Sequence, residues 1–519
     1  MLIQNIYYTL SFFVKNDIPV MYKVKCLVTN FFQRRLSVCL FIIIVIYYNY
    51  SGLLGLEFFN GDSYVFLPTR EMVGDQLSYW WYIFTNSNGF GIQYRPLGFF
   101  GFFYISDYLF NSDPMNFRIL ALILLLTSSF FLHEILKSLK ISTVNRYLGL
   151  FFYIQHSAFY YSILDVSCIA KYFFPSLILS FGSFLIISCS RFRLKKTIIV
   201  LISFISILFH EGSMVFPVIF LVLLILKDKK ISIPNIFYIL APSIVYILFR
   251  STVLEWPTES SFMGIGGDKF VDLFVLLNYG LWTASPLYRL SNIQYIIFII
   301  CILQVIYSYY SNKSHLYMAS IFMVCSWVCL TPFSILKNHH EAHILMKGMT
   351  WGVLFIPISI CLIFSNSNKY KIRYLYWLVI PLIFLSIISS NNYKEHMLGK
   401  YNVFRLKVDR VYYTLLGPLR ELPVESKYLQ INLNIDLLKA KKSNFYFYGE
   451  VFPAVLAHYF PKRKFVIFDV NGMYSLVDQG ISFSVLNKKN EEVIVSDIYG
   501  VEYKKVYYGG GASLAYMID

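Results

Sequence analysis

Long apolar runs, broken at short basic intervals, set the architecture of this chain. Stretches of about 20 apolar residues recur between residues 36 and 390, the length that crosses a hydrocarbon core as an α-helix. Read as helices, they place spans at 36–56, 116–136, 147–164, 171–190, 231–249, 293–310, 316–336, 344–364 and 374–390. The run 197–226 is too long for one span, and its middle reads Phe209-His210-Glu211-Gly212-Ser213. Both of its flanks are basic, which one crossing does not satisfy, so it reads as two short helices with His210 and Glu211 at the turn. The expected total is about eleven spans. The moderately apolar stretch 270–288 reads as interfacial or re-entrant.

Charge gives these spans a direction. Arg34-Arg35, the cations at Lys137, Lys140 and Arg146, and the clusters 191–196, 227–230 and 369–373 all border apolar runs. Cations held at cytoplasmic helix ends follow the positive-inside pattern. It makes residues 1–35 a cytoplasmic N-terminal segment, with an interfacial helix in the first fourteen. It puts 57–115, the His210–Glu211 turn, the segment after Arg250 and the loop 337–343 on the outer side. Residues 36–390 then form the membrane domain and the C-terminus lies outside. Beyond 390 the long apolar runs stop. Short β-type runs at 444–448 and 464–469, a helical pattern at 452–460 and the turn Gly509-Gly510-Gly511 read as a small extracytoplasmic α/β domain, 391–519.

Composition agrees with a multi-pass membrane protein: 57% of residues are hydrophobic, 14% are charged, and mean hydropathy is +0.57. The net charge of +16 is distributed as helix flanks, which points to bilayer and phosphorylated-lipid partners and away from nucleic acid. The eight cysteines show no CxxC or other metal-type spacing. Lys15, Asp17 and Lys23 interrupt any cleavable-signal pattern.

Four clusters on the outer side carry candidate chemistry. The loop Asn60-Gly61-Asp62-Ser63, with Glu57, Glu71 and Asp75 nearby, offers a carboxylate as a general base or cation ligand; the same composition also suits a plain turn. Tyr94-Arg95-Pro96-Leu97 sets a guanidinium at the membrane edge, either to bind phosphate or to snorkel. His210-Glu211 is an intramembrane ionisable pair that holds a phosphate or cation, or else seals the hairpin tip. Asn338-His339-His340-Glu341-Ala342-His343, with Lys347 a turn later, reads as a leaving-group site or a solvated polar loop. Its spacing is not that of a zinc helix. Gln155-His156 and Asp165 are weaker candidates around the third and fourth spans.

This order of motifs resembles the GT-C superfamily of membrane glycosyltransferases, which use polyprenyl-phosphate-linked sugars. The similarity is greatest to the transmembrane O-mannosyltransferase-like branch and its bacterial relatives, which modify O-antigen and other surface polysaccharides. It is carried by Asp62, Tyr94-Arg95-Pro96-Leu97, Gln155-His156-Ser157 with Tyr161 to Lys171, His210-Glu211 before Pro217, and Glu341 to Met346, across residues 57–350. Four positions depart from the pattern. The paired acid of the family is Gly61-Asp62, Ser157 stands for its proline, His210 for its lysine, and Ala342 or His343 for its late arginine.

The resemblance implies an inverting hexosyl transfer at the outer face of the cytoplasmic (inner) membrane. Asp62 would act as base on a glycan acceptor. Arg95, His210, His339, His340 and Lys347 would bind the donor phosphate, with Glu57, Tyr94, His156, Asp165, Glu211, Glu341 and His343 in support. A magnesium or manganese ion, if used, would involve Asp62 and Glu211. The competing readings are a polysaccharide polymerase or ligase, a lipid-linked sugar flippase or transporter without glycosyl transfer, and a structural or receptor-like membrane protein with a sensing tail.

Overall fold

The computed structural model describes residues 18–56, 95–110, 113–189, 195–228, 231–253, 314–329, 332, 350–369, 387–388, 391–392, 394–406, 408, 428–432, 452–460, 462–468, 474–478, 481–483, 492–497 and 502–507. These residues are mostly helical. Among the described residues, four helical segments are long and apolar enough to cross a membrane: Leu36–Leu54, Pro114–Ser138, Ile169–Ser188 and Ile233–Thr252. The chain therefore has the architecture of a helical membrane protein.

Helix α1 spans Ile18–Leu54. The span expected at 36–56 is matched by the apolar stretch Leu36–Leu54 of α1, and the helix continues back through both arginines to Ile18. Its only helix breaker ahead of residue 52 is Pro19, which sits at the second helical position, where a missing N–H is tolerated. After a π-helical turn, Leu97–Gly101, come α2 (Phe102–Phe110) and α3 (Pro114–Ser138). Asp113 opens α3: its side chain accepts from the Met115 N–H at 2.9 Å, and Pro114 presets the first turn. The helix ends at Lys140, which takes the left-handed conformation at φ 60°.

The expected third span is two helices, α4 (Thr143–Gln155) and α5 (Ser157–Leu164). His156 divides them because its backbone is extended, with φ −63° and ψ 130°. A second π-helical turn, Ile169–Phe173, leads into α6 (Phe174–Ser188). The long run 197–226 does fold as two short helices, α7 (Lys195–Phe209) and α8 (Phe216–Asp228), joined by a 3-10 turn, Glu211–Val215. Helix α9 spans Ile233–Val253; α10 (Ser314–Val328) and α11 (Phe355–Lys369) follow.

Helix α6 is the centre. About 72% of its apolar span is buried, against 28% for α9. Its small residues allow the close approach, as in membrane bundles generally. Gly182 lies against the Phe220 ring of α8 with no room for a Cβ. Ser176 donates to the Thr350 carbonyl at 3.1 Å. Helix α9 turns large apolar side chains outward, among them Ile233, Phe237 and Leu248, as a lipid-facing helix does. Inside the bundle, buried hydroxyls return their hydrogen bonds to their own helix. Ser129 donates to the Leu125 carbonyl at 2.7 Å, Ser180 to Ser176 at 2.8 Å, and Ser203 to Ile199 at 2.7 Å. Without water, such groups need an internal partner.

Cross-links between helix ends fix which termini share a side. Lys227 donates to the Ile187 carbonyl at 2.6 Å, Ser188 to that of Glu134 at 3.4 Å, and the Tyr238 hydroxyl meets Thr197 Oγ1 at 3.3 Å. The end of α3, the end of α6, the start of α7, the end of α8 and the start of α9 therefore lie together. This is the basic end, holding Lys137, Lys140, Arg146, Lys195, Lys196 and Lys227. At the opposite end Tyr50 donates to the Ile154 carbonyl at 2.5 Å, and Arg118 donates to that of Leu56.

Residues 428–507 contribute a six-stranded sheet of order β4-β3-β2-β1-β5-β6. The strands are β1 (Tyr428–Asn432), β2 (Lys464–Phe468), β3 (Tyr474–Asp478), β4 (Ile481–Phe483), β5 (Glu492–Asp497) and β6 (Glu502–Tyr507). The β1–β2 pair is parallel and all others are antiparallel. The parallel crossover carries α12 (Phe452–Tyr459), where the sequence predicts a helix. Phe465 and Ile467, on one face of β2, are buried, as are Phe452, Val455 and Leu456 of α12. The expected strand at 444–448, the segment 270–288 and the Gly509–Gly511 turn lie outside the described residues.

One residue beyond the last apolar run ties that part of the chain to α1. Lys394 donates to Asn49 Oδ1 at 2.6 Å and stands 5.8 Å from the ring centroids of both Tyr50 and Tyr160. Burial lowers its amine from the usual lysine value to about 8. The folded state therefore releases this proton before the unfolded chain does. Stability should rise as pH increases from about 8 towards the ordinary lysine value, because the unfolded state then binds more protons. Thermal unfolding in detergent across that window should show the rise in wild type and a flatter profile in Lys394→Met.

Candidate functional site

At the end opposite the basic loops, Arg95 and Glu211 form a two-pronged ion pair. Arg95 Nε donates to Glu211 Oε2 at 2.6 Å and Nη2 donates to Oε1 at 2.7 Å. Parallel N–H···O bonds of this kind are the strongest pairing available to a guanidinium. The two side chains are 8% and 23% exposed, so the pair is shielded from solvent screening. It joins residues 116 positions apart in sequence.

Local structure explains how they meet. Pro96 follows Arg95 and opens the π-helical turn, in which the Gly101 N–H reaches back to the Pro96 carbonyl at 3.0 Å. Gly98 brings this turn against the carbonyl of Phe209, the last residue of α7, so closely that a Cβ would overlap the oxygen. Phe209 stacks flat on Phe174 at 5.0 Å, and Phe102 meets Phe174 edge-on at 5.8 Å. The π turn, the start of α6 and the end of α7 are thus clamped together, one residue short of His210.

His210 is extended, with φ −159° and ψ 121°, and caps the 3-10 turn. Its Nδ1 accepts from the Gly212 N–H at 3.0 Å, and its carbonyl accepts from Ser213 Oγ at 2.7 Å. With Nδ1 as acceptor, the neutral ring carries its proton on Nε2, and any contact it donates to a phosphate falls to that atom. The ring lies 5.3 Å from Tyr172 and 5.1 Å from Trp351, and the Trp351 indole N–H donates to the Tyr172 carbonyl at 3.1 Å. Helix α9 adds Tyr246 and Arg250, both buried, and is tied to the same turn by Ser243, which donates to the Met214 carbonyl at 2.6 Å.

The other sequence candidates at this end take local roles. Asp165 Oδ1 accepts from Ser167 N–H at 3.1 Å and Ser167 Oγ at 2.8 Å, closing the turn before α6. His156 repeats the device of His210: its Nδ1 accepts from the Ala158 N–H at 3.2 Å and caps α5. Asp62, Glu57, Tyr94, His339, His340, Glu341, His343 and Lys347 lie outside the described residues. Among the described residues, no three His, Cys, Asp or Glu side chains gather as a metal-binding group. Each Glu211 oxygen accepts one hydrogen bond from Arg95.

The sequence reading did not single out Arg118, Tyr172, Tyr246, Arg250 or Trp351. Arg250 stood in it only as the residue after a span; its signal was a cation at the end of a helix whose basic loop lies at the other terminus. Among the described residues, Arg95, Arg118, Lys171 and Arg250 are buried cations at this end, and Asp165 and Glu211 are its enclosed acids. No family model and no curated protein matches the chain.

Removing one partner of an enclosed ion pair strands the other. Glu211→Gln should destabilise the protein by about 3 kcal/mol, and replacing both residues, Arg95→Met with Glu211→Leu, should recover most of that loss. Chemical unfolding of the detergent-solubilised protein measures both. Gly98→Ala should push the π turn off α7 at a cost of about 2 kcal/mol, read as a lowered melting temperature.

Proposed function

We propose that this protein transfers a hexosyl group from a polyprenyl-phosphate-linked donor to a surface glycan, in the manner of the GT-C superfamily. The observation that carries the reading is the shielded, two-pronged Arg95–Glu211 pair next to His210, at the bundle end away from the basic loops. A sugar phosphodiester brings negative charge there, and its leaving phosphate gains more in the transition state. In this reading the membrane domain has about eleven spans, the N-terminus is cytoplasmic, and the sheet-bearing C-terminal region lies outside the inner membrane as an α/β domain beside the acceptor. The site then faces the outer leaflet, since the cytoplasmic side keeps the basic loops.

The step is a single displacement. The acceptor oxygen bonds to the anomeric carbon as its proton passes to Asp62. The carbon–oxygen bond to phosphate breaks, and its electron pair leaves with the polyprenyl phosphate, inverting the anomeric configuration. Arg95 and His210 flank the leaving group, with Glu211 holding Arg95 in place. Our reading routes no step through a divalent cation.

Purified protein should transfer sugar from a polyprenyl-phosphate hexose to a glycan acceptor, and Asp62→Asn should lower the rate at least about 100-fold while leaving the fold intact. A folded Asp62→Asn variant with wild-type rate sinks the base assignment. Absence of transfer, with passage of lipid-linked sugar across proteoliposomes, would replace the reading with flipping.

A further inference from the structure

The imidazole of His210 is enclosed on several sides. Its Nδ1 accepts from the Gly212 N–H at 3.0 Å. A Cβ on residue 212 would stand 3.1 Å from that nitrogen and 3.2 Å from Pro332 Cβ, so the ring and the proline crowd the space that a side chain there would need. The Trp351 indole meets the ring edge-on, with centroids 5.1 Å apart and planes at 82°. The Tyr172 ring lies 5.3 Å away at 45°. Trp351 is itself pinned: its N–H donates to the Tyr172 carbonyl at 3.1 Å, and Phe216 meets it edge-on at 5.2 Å. With 0% exposure, Trp351 lies beyond the reach of a ligand, so any part it plays in the site runs through its neighbours.

The Gly212 bond accepts only one form of the ring. It needs a lone pair on Nδ1, which the Nε2–H tautomer has and which the Nδ1–H tautomer and the imidazolium lack. It also needs the ring to keep its plane, because a half-turn about the Cβ–Cγ bond puts a C–H where Nδ1 stood. That torsion is intrinsically broad, so the surroundings must fix it. An edge-on indole anchored at its own N–H resists the turn, and edge-on rings at this spacing attract one another. We propose that Trp351 is a positioning residue for His210: by holding the plane of the imidazole, it keeps the Gly212 bond formed and the ring in its Nε2–H form. The late apolar stretch that carries Trp351 thereby sets the proton pattern of a residue that follows α7. The use of that N–H on a leaving phosphate rests on the transfer reading above; the tautomer and its dependence on Trp351 do not.

The test is NMR of the full-length protein, purified in a neutral detergent with isotope-labelled histidine, reading the two ring nitrogens of each imidazole at neutral pH. The His210 signals are those that vanish in His210→Asn, whose side-chain oxygen can still accept from the Gly212 N–H. Wild type should show His210 as the neutral Nε2–H tautomer. Trp351→Leu should move the tautomer ratio about three- to tenfold towards Nδ1–H, the size of one lost edge-on aromatic pair. Trp351→Phe keeps a ring but loses the N–H pin, and should move the ratio about twofold. A wild-type His210 that is charged or carries its proton on Nδ1 overturns the proposal. So does an unchanged ratio in folded Trp351→Leu, the result that a purely space-filling tryptophan gives together with a lowered melting temperature. If Trp351→Leu does not fold, Trp351→Phe decides, and an unchanged ratio there overturns it too. A tautomer ratio that depends on residue 351, without sugar transfer by wild type, keeps the positioning role and removes the transfer reading. Transfer by wild type with an unchanged ratio in Trp351→Leu does the reverse.

Discussion

The enclosed ion pair between Arg95 and Glu211 is the interaction on which the polar end of this bundle depends. A lone charge there would carry a large desolvation penalty. The two groups tolerate burial because each prong of the guanidinium has an oxygen. Meeting that condition constrains much else. The chain must deliver Arg95 from a π-helical turn, end α7 early enough to present Glu211, and keep Gly98 bare so that the two backbones can touch. The surrounding aromatic contacts, Phe209 on Phe174 and Trp351 beside His210, exclude water and hold these elements in register.

The same reasoning governs the apolar interior. Helices crossing a medium without water keep their polar side chains by returning them to their own carbonyls or by pairing them across a seam. Ser129, Ser180 and Ser203 do the first. Ser176 and Ser359 do the second, donating to Thr350 and Ala319 carbonyls. Small side chains at the centre of α6 permit the short distances these bonds need. The bundle is thus tightest where it is least polar overall, and its ionisable groups are pushed to the two ends.

Much of this could be read from residues alone. The apolar runs at 116–136 and 171–190 give α3 and α6, and basic flanks on either side of 197–226 require the reversal at His210 and Glu211 that the fold contains. The helix at 452–460 follows from its pattern. What could not be read were effects set by contact between distant segments. Nothing local to Arg95 indicates that its partner is Glu211, and the motif reading gave the two residues separate tasks. Arg250 and Tyr246 look like the ordinary end of a span until α9 is packed against the 3-10 turn. Arg34-Arg35 mark the start of the apolar span at Leu36 but not the start of α1, since arginine is a good helix former and only the membrane boundary needs to fall there. His156 was read as a supporting residue of the site, and the fold adds that its ring caps α5, a contact that the sequence does not announce.

The π-helical turn at Leu97–Gly101 has a consequence for how this end of the molecule tolerates change in chain length. A π turn holds one residue more than an α-helical turn of the same reach. Deleting a single residue within it would let the segment close into regular α-helix and rotate everything before it by about 100° about the axis. Arg95 would swing away from Glu211. The extra residue acts as an angular offset between Arg95 and the bundle, so this position admits substitutions far more readily than it admits a deletion.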